Sequence, residues 1–332
     1  MGEPAGIGGE ITLKAWLARG GHLPPFAVID DPDRLTSLAR TLSLDVPIVT
    51  VSRGAEIGEA FARALPVIPV PGSPLPDTKP GQPALATAAA VVRSIDAAVA
   101  LAKRGEVGAI VTNPINKKIL QDDGFAYPGH TEYLGHLCGG AKAVMMLTIE
   151  RADPPLRVVP VTVHVALRDI AACLTSEAIV AAAVATAGAL KRDFGLAAPR
   201  LAVAALNPHA GEDGKMGDEE QRVVAPAVIA IRSAGIDVTG PLPADTLFYA
   251  DARSRYDAVI CMYHDQALVP LKTVDFAGGV NVTLGLPIVR TSPDHGTAFD
   301  IAGRGIADAS SLIEAIKLAG RLGQARRGRP AG

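Results

Sequence analysis

The sequence predicts an α/β fold built on mostly parallel sheets. Short β-branched runs alternate with longer alanine-rich segments along the whole chain. Several of those runs are apolar without alternation, as in strands buried on both faces. The length, 332 residues, is a prior for two domains and is ample for a large core.

The elements follow in order. The chain opens on "MGEPAGIGGEIT", a glycine-rich turn feeding a helix expected from Glu10 to Arg19. Such a loop is normally anchored on both sides, so a strand is expected ahead of it. "FAVID" (26–30), "GAIVT" (108–112), "AVMMLTI" (143–149), "LRVVPVTVHV" (156–165), "RLAVAAL" (200–206) and "YDAVICMY" (256–263) read as strands. The segments 83–105, 175–195 and 218–235 read as helices. Thr175 and Asp218 stand at N-cap positions with glutamates close behind. Gly105, Gly195 and Gly235 stand where helices should stop. "VPGSPLPDTKPGQP" (70–83) reads as a long loop, and the tail 321–332 is expected to fray. There is no internal repeat.

Bulk properties exclude some functions. The formal charge is −2 and the pI near 6.4, so no basic excess suggests nucleic acid or an anionic membrane. No uninterrupted apolar run has the length of a membrane span, and no signal peptide is visible. Cys138, Cys173 and Cys261 lie far apart with no CxxC, which suits a reducing cytoplasm.

Each predicted strand ends in a polar cluster, and open α/β sheets bind ligands beyond the carboxyl ends of their strands. His164, His209 and His264 each follow an apolar run. Neutral imidazole is the commonest protein ligand for borderline divalent metals. Three with an open fourth position make a usual catalytic zinc site. The alternative is three hydrogen-bonded strand-end histidines, and the long spacing does not choose between them. Asp265, next to His264 on an expected strand, should point the other way, toward substrate or cofactor. Lys272, Asn281 and Arg290, with His130 and Thr131, offer donors suited to phosphate or carboxylate. Each alone is equally a solvated surface group. The opening glycine turn is a candidate anion cradle at a helix N-terminus. It is not GxGxxG and lacks the Lys-Ser/Thr of a P-loop. GxSxG and HExxH are absent.

Taken together, "GEPAGIGGE", "TNPINK", "GHTEYL", "HVALRDI", "LNPHAGEDGKMGDEE", "GPLPADTLF", "YHDQALVPLK" and "VNVTLGLPIVRTSPDHGTAFDIAGRG" are specific. In this order they resemble the 4-hydroxythreonine-4-phosphate dehydrogenase family of vitamin B6 biosynthesis, almost end to end. The resemblance implies two α/β/α domains of the isocitrate/isopropylmalate-dehydrogenase-like type, with the active site in the cleft between them. It implies one discontinuous domain, 1–127 plus 296–332, and a second, 128–295, carrying the metal histidines and a dimer interface. It implies NAD, with NADP as the alternative, and a divalent metal, zinc first and Mg, Co or Mn after it. The family's metal ligands fall on His164, His209 and His264, one of them supplied by the partner of an obligatory homodimer. Its substrate contacts fall on His130, Thr131, Lys272, Asn281 and Arg290.

The segment 294–308 also resembles the adenosine-holding loop of isocitrate and isopropylmalate dehydrogenases, which places cofactor contacts on His295, Thr297, Ala298 and Asp300. That loop ends here in Asp308 rather than Asn, and a carboxylate accepts but cannot donate. "GIGGE" stands where the family commonly has "GIGPE".

The implied reaction is oxidation of 4-phosphohydroxy-L-threonine at C3. Its product, 2-amino-3-oxo-4-phosphobutanoate, is a β-keto acid that loses carbon dioxide to leave 3-amino-2-oxopropyl phosphate. Lys272 and Asp265 are the candidates for the proton acceptor. The nearest rivals oxidise four-carbon sugar acid phosphates or cis-dihydrodiols of aromatic acids. A zinc hydrolase on the same histidines is the rival of another class, and the "DHGTAFDIAG" loop argues against it. A silent structural subunit is the third alternative.

Overall fold

The computed structural model describes residues 1–20 and 22–328. In chain order its regular elements are α1 (Gly8–Leu17), β1 (Val28–Asp30), α2 (Pro32–Thr41), β2 (Ile48–Thr50), α3 (Ile57–Arg63) and β3 (Leu65–Pro69). Then come α4 (Ala88–Lys103), β4 (Ile110–Val111), α5 (Lys117–Asp122), α6 (His130–Leu137), β5 (Val144–Ile149) and β6 (Leu156–Pro160). They are followed by α7 (Ile170–Cys173), α8 (Ser176–Arg192), β7 (Arg200–Ala204), α9 (Ala225–Ser233), β8 (Asp237–Leu242) and α10 (Ala250–Arg253). The series closes with β9 (Ala258–Cys261), α11 (His264–Val274), β10 (Val280–Leu284), β11 (Arg290–Pro293) and α12 (Ser310–Arg327). The alternation is that of a mixed α/β protein.

The chain divides into two compact units. Met1–Lys142 with Leu286–Arg327 form the first, and Ala143–Gly285 form the second. The sequence placed these joins at 127/128 and 295/296. The first unit reaches past 127 because α6 packs on α4, where Tyr133 Oη donates to Asp96 Oδ1 at 2.5 Å. It takes in 286–295 because β11 pairs in parallel with β4, Arg290 opposite Ile110.

In the first unit β3 lies between β1 and β2, all parallel, with Val28 opposite Val67 and Ile48 opposite Leu65. Leu13, Trp16, Leu35, Phe61, Leu65 and Val67 form one buried cluster against this small sheet. No strand precedes α1 among the described residues. Instead, an apolar cavity of about 380 Å³ is lined by β1 (Val28, Ile29), β4 (Val111), α4 (Ile95) and α12 (Leu312), and Met1 borders it. β1 and β4 each end a different sheet and both line it, as an unfilled strand position between them would require.

One expectation of this unit needs correcting. The tail from 321 is not frayed, because α12 continues to Arg327 with Leu322 and Gly323 buried; residues 329–332 lie outside the described residues. Asp308 caps α12, its Oδ1 accepting from Ser310 N at 2.8 Å and from Ser310 Oγ at 2.7 Å. The helical stretch Leu85–Lys103 has the length and mean apolarity of a span, but Arg93 and Asp96 interrupt it, so it is not an uninterrupted apolar run. It packs against β1 and β4, and it buries Val91, Ile95 and Val99 at four-residue spacing, as a core helix does.

The second unit is a sheet in the order β10-β5-β6-β9-β7-β8. β6, β9, β7 and β8 run parallel, while β10/β5 and β5/β6 are antiparallel. β9, "AVIC", is wholly buried, as its unbroken apolar run requires. α8 starts where Thr175 Oγ1 accepts from Ala178 N at 3.2 Å and stops before Gly195, whose φ is 75°. Asp218 does not cap the next helix. It ion-pairs with Arg222 at 3.5 Å, and a π-turn, Glu220–Val224, precedes α9.

Candidate functional site

β6, β9 and β7 end side by side, and each releases a turn that carries one of the predicted histidines. His164 lies four residues beyond the last residue of β6, shorter than the predicted strand, with φ at 55°. His264 is the first residue of α11. The rings of His164 and His264 have centroids 5.9 Å apart and tilt by 35°. His209 is exposed in a run that stays left-handed from His209 to Asp213, φ between 41° and 77°. Left-handed backbone at a residue with a Cβ costs on the order of 1–2 kcal/mol, so this loop is held by its surroundings.

Its clamp is Glu220, a buried carboxylate. Oε1 accepts from Leu206 N and Asn207 N, both at 2.8 Å, and Oε2 accepts from Asn207 Nδ2 at 3.0 Å. A Cβ at Gly211 would sit 2.6 Å from Glu220 Oε2, which is why glycine stands there. Sequence reasoning did not pick out Glu220; its only signal is a glutamate close behind a glycine-rich turn.

Asp265 differs from expectation. His264 opens a helix rather than extending a strand, so neighbouring side chains do not point to opposite sides. The His264 Nδ1–H donates to Asp265 Oδ1 at 2.8 Å. This fixes the imidazole and leaves its Nε2 for a ligand, the outer-shell arrangement usual for a metal-ligating histidine. Lys272 lies in the last turn of α11, with Nζ 4.9 Å above the Phe276 ring. Asn281 sits on β10 opposite Leu147, and its Oδ1 is buried without a partner.

The remaining candidates lie in the first unit. His130 and Thr131 begin α6, behind Gly129. Burial, reinforced by the charge of Arg290, holds the His130 pKa well below the usual histidine value. Its Nε2 is buried and unpartnered. Arg290 is 4% exposed and donates to Thr112 Oγ1 from Nη2 at 2.6 Å. Burial lowers its pKa to about 10, so it stays cationic at neutral pH. A neutral imidazole and a buried guanidinium supply donors of the kind a phosphate or carboxylate uses. Asn113, in the "TNPINK" turn, also has a buried, unpartnered Oδ1, while its Nδ2 donates to Thr12 Oγ1 at 3.0 Å.

The loop after β11 is stitched to the glycine-rich start. Ile7 N donates to Thr297 O at 3.0 Å, and a Cβ at Gly6 would meet that oxygen at 2.9 Å. The glycines therefore serve close backbone approach. His295 Nδ1–H donates to Gly296 O at 3.0 Å, and its Nε2 is buried without a partner. Ala298 is left-handed with φ at 46°, and Asp300 is exposed. A cavity of about 310 Å³ beside this loop is lined by Gly6, Asp31, Arg34, Pro80 and Gly303 among others. None of the four cofactor candidates lines it.

Among the described residues no three His, Cys, Asp or Glu side chains gather closely enough to hold a metal by themselves. The donor set nevertheless fits part of such a site. His164 and His264 lie ring beside ring, and the second is oriented by a carboxylate.

A family model described as pyridoxal phosphate biosynthetic protein PdxA matches residues 23–319. The chain belongs to this family. It is 53% identical over 330 residues to a 4-hydroxythreonine-4-phosphate dehydrogenase of Methylorubrum populi, covering 98% of this chain and 93% of that one. A solved 4-hydroxythreonine-4-phosphate dehydrogenase from Klebsiella pneumoniae superposes with a TM-score of 0.85 at 39% identity, covering 98% of both chains. A terephthalate 1,2-cis-dihydrodiol dehydrogenase from Burkholderia xenovorans LB400 superposes with a TM-score of 0.63 at 28% identity, over 96% of this chain and 95% of that one. Membership in the family places this chain among the dehydrogenases of pyridoxal phosphate biosynthesis.

Proposed function

We propose that this protein oxidises 4-phosphohydroxy-L-threonine with NAD and a divalent cation. The observation that carries the reading is the 53% identity, over 98% of the chain, to a 4-hydroxythreonine-4-phosphate dehydrogenase. The side chains support it. Arg290 keeps its positive charge at neutral pH and binds an anionic group of the substrate. His130, held neutral, offers Nε2 to a substrate oxygen. Asn281 Oδ1 accepts from a donor on the substrate, such as its ammonium or hydroxyl. Lys272, in the last turn of α11, adds a further contact to the substrate.

His164 and His264 hold the cation, and Asp265 keeps His264 in the tautomer that presents Nε2. When bound, the cation lowers the pKa of the substrate hydroxyl and polarises the carbonyl that forms. His209 completes the ligand set from the partner of a homodimer, consistent with its exposure and with the two-histidine grouping within one copy. Asp265 already accepts from His264, which leaves Lys272 as the better candidate to take the hydroxyl proton. The β-keto acid product then loses carbon dioxide, giving 3-amino-2-oxopropyl phosphate. The 294–300 loop, with His295, Thr297, Ala298 and Asp300, contacts the adenosine side of NAD. The free thiols Cys138, Cys173 and Cys261 suit a cytoplasmic enzyme.

The likeness to a terephthalate cis-dihydrodiol dehydrogenase favours a second reading, oxidation of an aromatic cis-dihydrodiol. NADH formation separates the two. The assay takes 4-phosphohydroxy-L-threonine, phosphorylated erythronate and threonate, and terephthalate cis-dihydrodiol, each with and without chelator. Chelator-sensitive turnover of the amino acid alone establishes the first reading. Turnover only of a diol or sugar acid replaces it.

A further inference from the structure

The three histidine-bearing turns are tied together by one hydrogen-bonded series that belongs to no helix or sheet ladder. Its centre is the buried residue Met262, two residues before His264. The Met262 carbonyl accepts from Thr162 Oγ1 at 2.7 Å and from Thr162 N at 3.3 Å. Thr162 is two residues before His164. The Met262 N–H donates to Gln266 Oε1 at 2.6 Å. The other end of the same amide, Gln266 Nε2, donates to Ala205 O at 2.7 Å. From there the chain runs to Leu206 and Asn207, whose N–H groups are held by Glu220. Asn207 is two residues before His209. Gln266 is 7% exposed, and a buried primary amide satisfied at both ends has little freedom to turn.

Each candidate ligand thus projects from a backbone position pinned two residues earlier, and the pins are connected to one another. Sheet pairing alone does not achieve this. The ladder β6/β9 reaches Pro160 opposite Cys261, and β7/β9 reaches Val203 opposite Ile260. Beyond those pairs Val161 N still donates to Cys261 O at 2.8 Å and Thr162 N to Met262 O at 3.3 Å, while the link from the His264 turn to the end of β7 is made by the Gln266 side chain.

We propose that Thr162 and Gln266 are positioning residues that set the spacing of His164 and His264, and through Ala205 that of the His209 loop, for a divalent cation. This rests on the metal reading above. Groups hydrogen-bonded directly to a metal-ligating side chain are typically worth about 10–100-fold in metal affinity; Thr162 and Gln266 act one step further out, on the backbone that carries the ligands, so the lower end of that range is expected. The two side chains grip the N–H and the C=O of a single residue, Met262, on successive peptide planes, so loss of either should let the His264 turn shift against its neighbours.

The test is Co²⁺ binding to the whole protein, followed by visible absorption and by equilibrium dialysis, with wild type, Thr162→Val, Thr162→Ser and Gln266→Leu. Val keeps the shape of Thr without the hydroxyl, and Ser keeps the hydroxyl. The expected result is a roughly tenfold or greater loss of Co²⁺ affinity in Thr162→Val and Gln266→Leu, with an altered absorption spectrum. Thr162→Ser should stay close to wild type. A folded Thr162→Val and Gln266→Leu that bind Co²⁺ as wild type does, with the same spectrum, overturn the proposal even if their Tm has fallen. If Gln266→Leu does not fold, Thr162→Val against Thr162→Ser decides. A wild type that takes up no Co²⁺ removes the metal reading itself, and this proposal with it.

Discussion

His264 Nδ1 donates to Asp265 Oδ1 at 2.8 Å, although the two residues are neighbours in the chain. The contact exists because α11 begins at His264. It leaves Nε2 as the only ring nitrogen able to bind a ligand. Asp265→Ala frees the ring to rotate and to change tautomer. Zinc or cobalt affinity is expected to fall about 10–100-fold, with little change in Tm because Asp265 is exposed. Asp265→Asn keeps an acceptor oxygen and should lose less. Equal metal affinity in all three proteins would remove Asp265 from the site.

Arg290 is a buried cation whose pKa, about 10, is lowered by burial. Its charge is complete below that value. Substrate affinity gained through it should therefore be flat from about pH 6 to 8. Arg290→Met removes a charge-assisted contact, worth about 1.5–3 kcal/mol, and should raise KM about 10–100-fold. Stability should not fall in step, since the native state no longer buries a charge. Steady-state kinetics beside thermal unfolding checks both halves. A parallel loss of Tm with unchanged KM would make Arg290 a structural residue only.

His130 gives a pH effect of definite sign. Its folded pKa lies well below the usual 6.5 because the ring is desolvated, with Arg290 adding to the effect. As pH falls through the usual value, the unfolded chain takes a proton that the native state refuses. Stability is thus lost on acidification from about pH 7 downward, until the folded pKa is reached. His130→Gln, which cannot titrate, should flatten that part of the Tm–pH curve between pH 7 and 5. A variant curve parallel to wild type would show that another group is responsible.

The framework was legible because its cause is local. Short unbroken β-branched runs such as Ala258–Cys261 suit strands buried on both faces, and Gly195 and Gly235 end helices where their positive φ is needed. That His164, His209 and His264 stand beyond the ends of strands was legible because each follows such a run. What could not be read depends on partners distant in sequence. Glu220 grips Leu206 and Asn207 from a π-turn, and Gln266 reaches Ala205 across the sheet. The left-handed backbone of Ala210 and Glu212 leaves no compositional trace, and His209 and Asp213, although of types that adopt it more readily, are too common elsewhere to signal it. The change from strand to helix at His264 was missed because "YDAVICMYHDQALV" is apolar on both sides of the break.

Gly211 is the tightest point of the His209 loop. Its φ is 77°, and an added Cβ would meet Glu220 Oε2 at 2.6 Å and Gly217 O at 3.0 Å. Gly211→Ala therefore combines backbone strain with displacement of the carboxylate that holds the loop. A cost of about 1–3 kcal/mol in denaturant unfolding is expected. Gly188→Ala, on α8 with nothing near its Cβ, should be neutral or stabilising. Equal effects at the two positions would mean that the loop is not held through Glu220.

The unfilled strand position of the first unit makes the last prediction. Met1 borders it, and burial lowers the pKa of the Met1 amino group. β1 and β4 each pair on one edge only within this unit, and backbone groups in such a place lack partners that water supplies only in part. A short β-branched segment fused ahead of Met1 would move the buried amino charge away and offer both edges a partner. Each Val or Ile side chain that enters gains about 1.5–3 kcal/mol by burial, against about 1–2 kcal/mol of backbone ordering per residue. A net gain of about 1–3 kcal/mol in unfolding free energy is expected, with slower amide exchange at Val28, Ile29 and Val111. A Gly-Ser segment of the same length should give neither. Equal stability and equal exchange with the two segments would show that the cavity does not accept a strand.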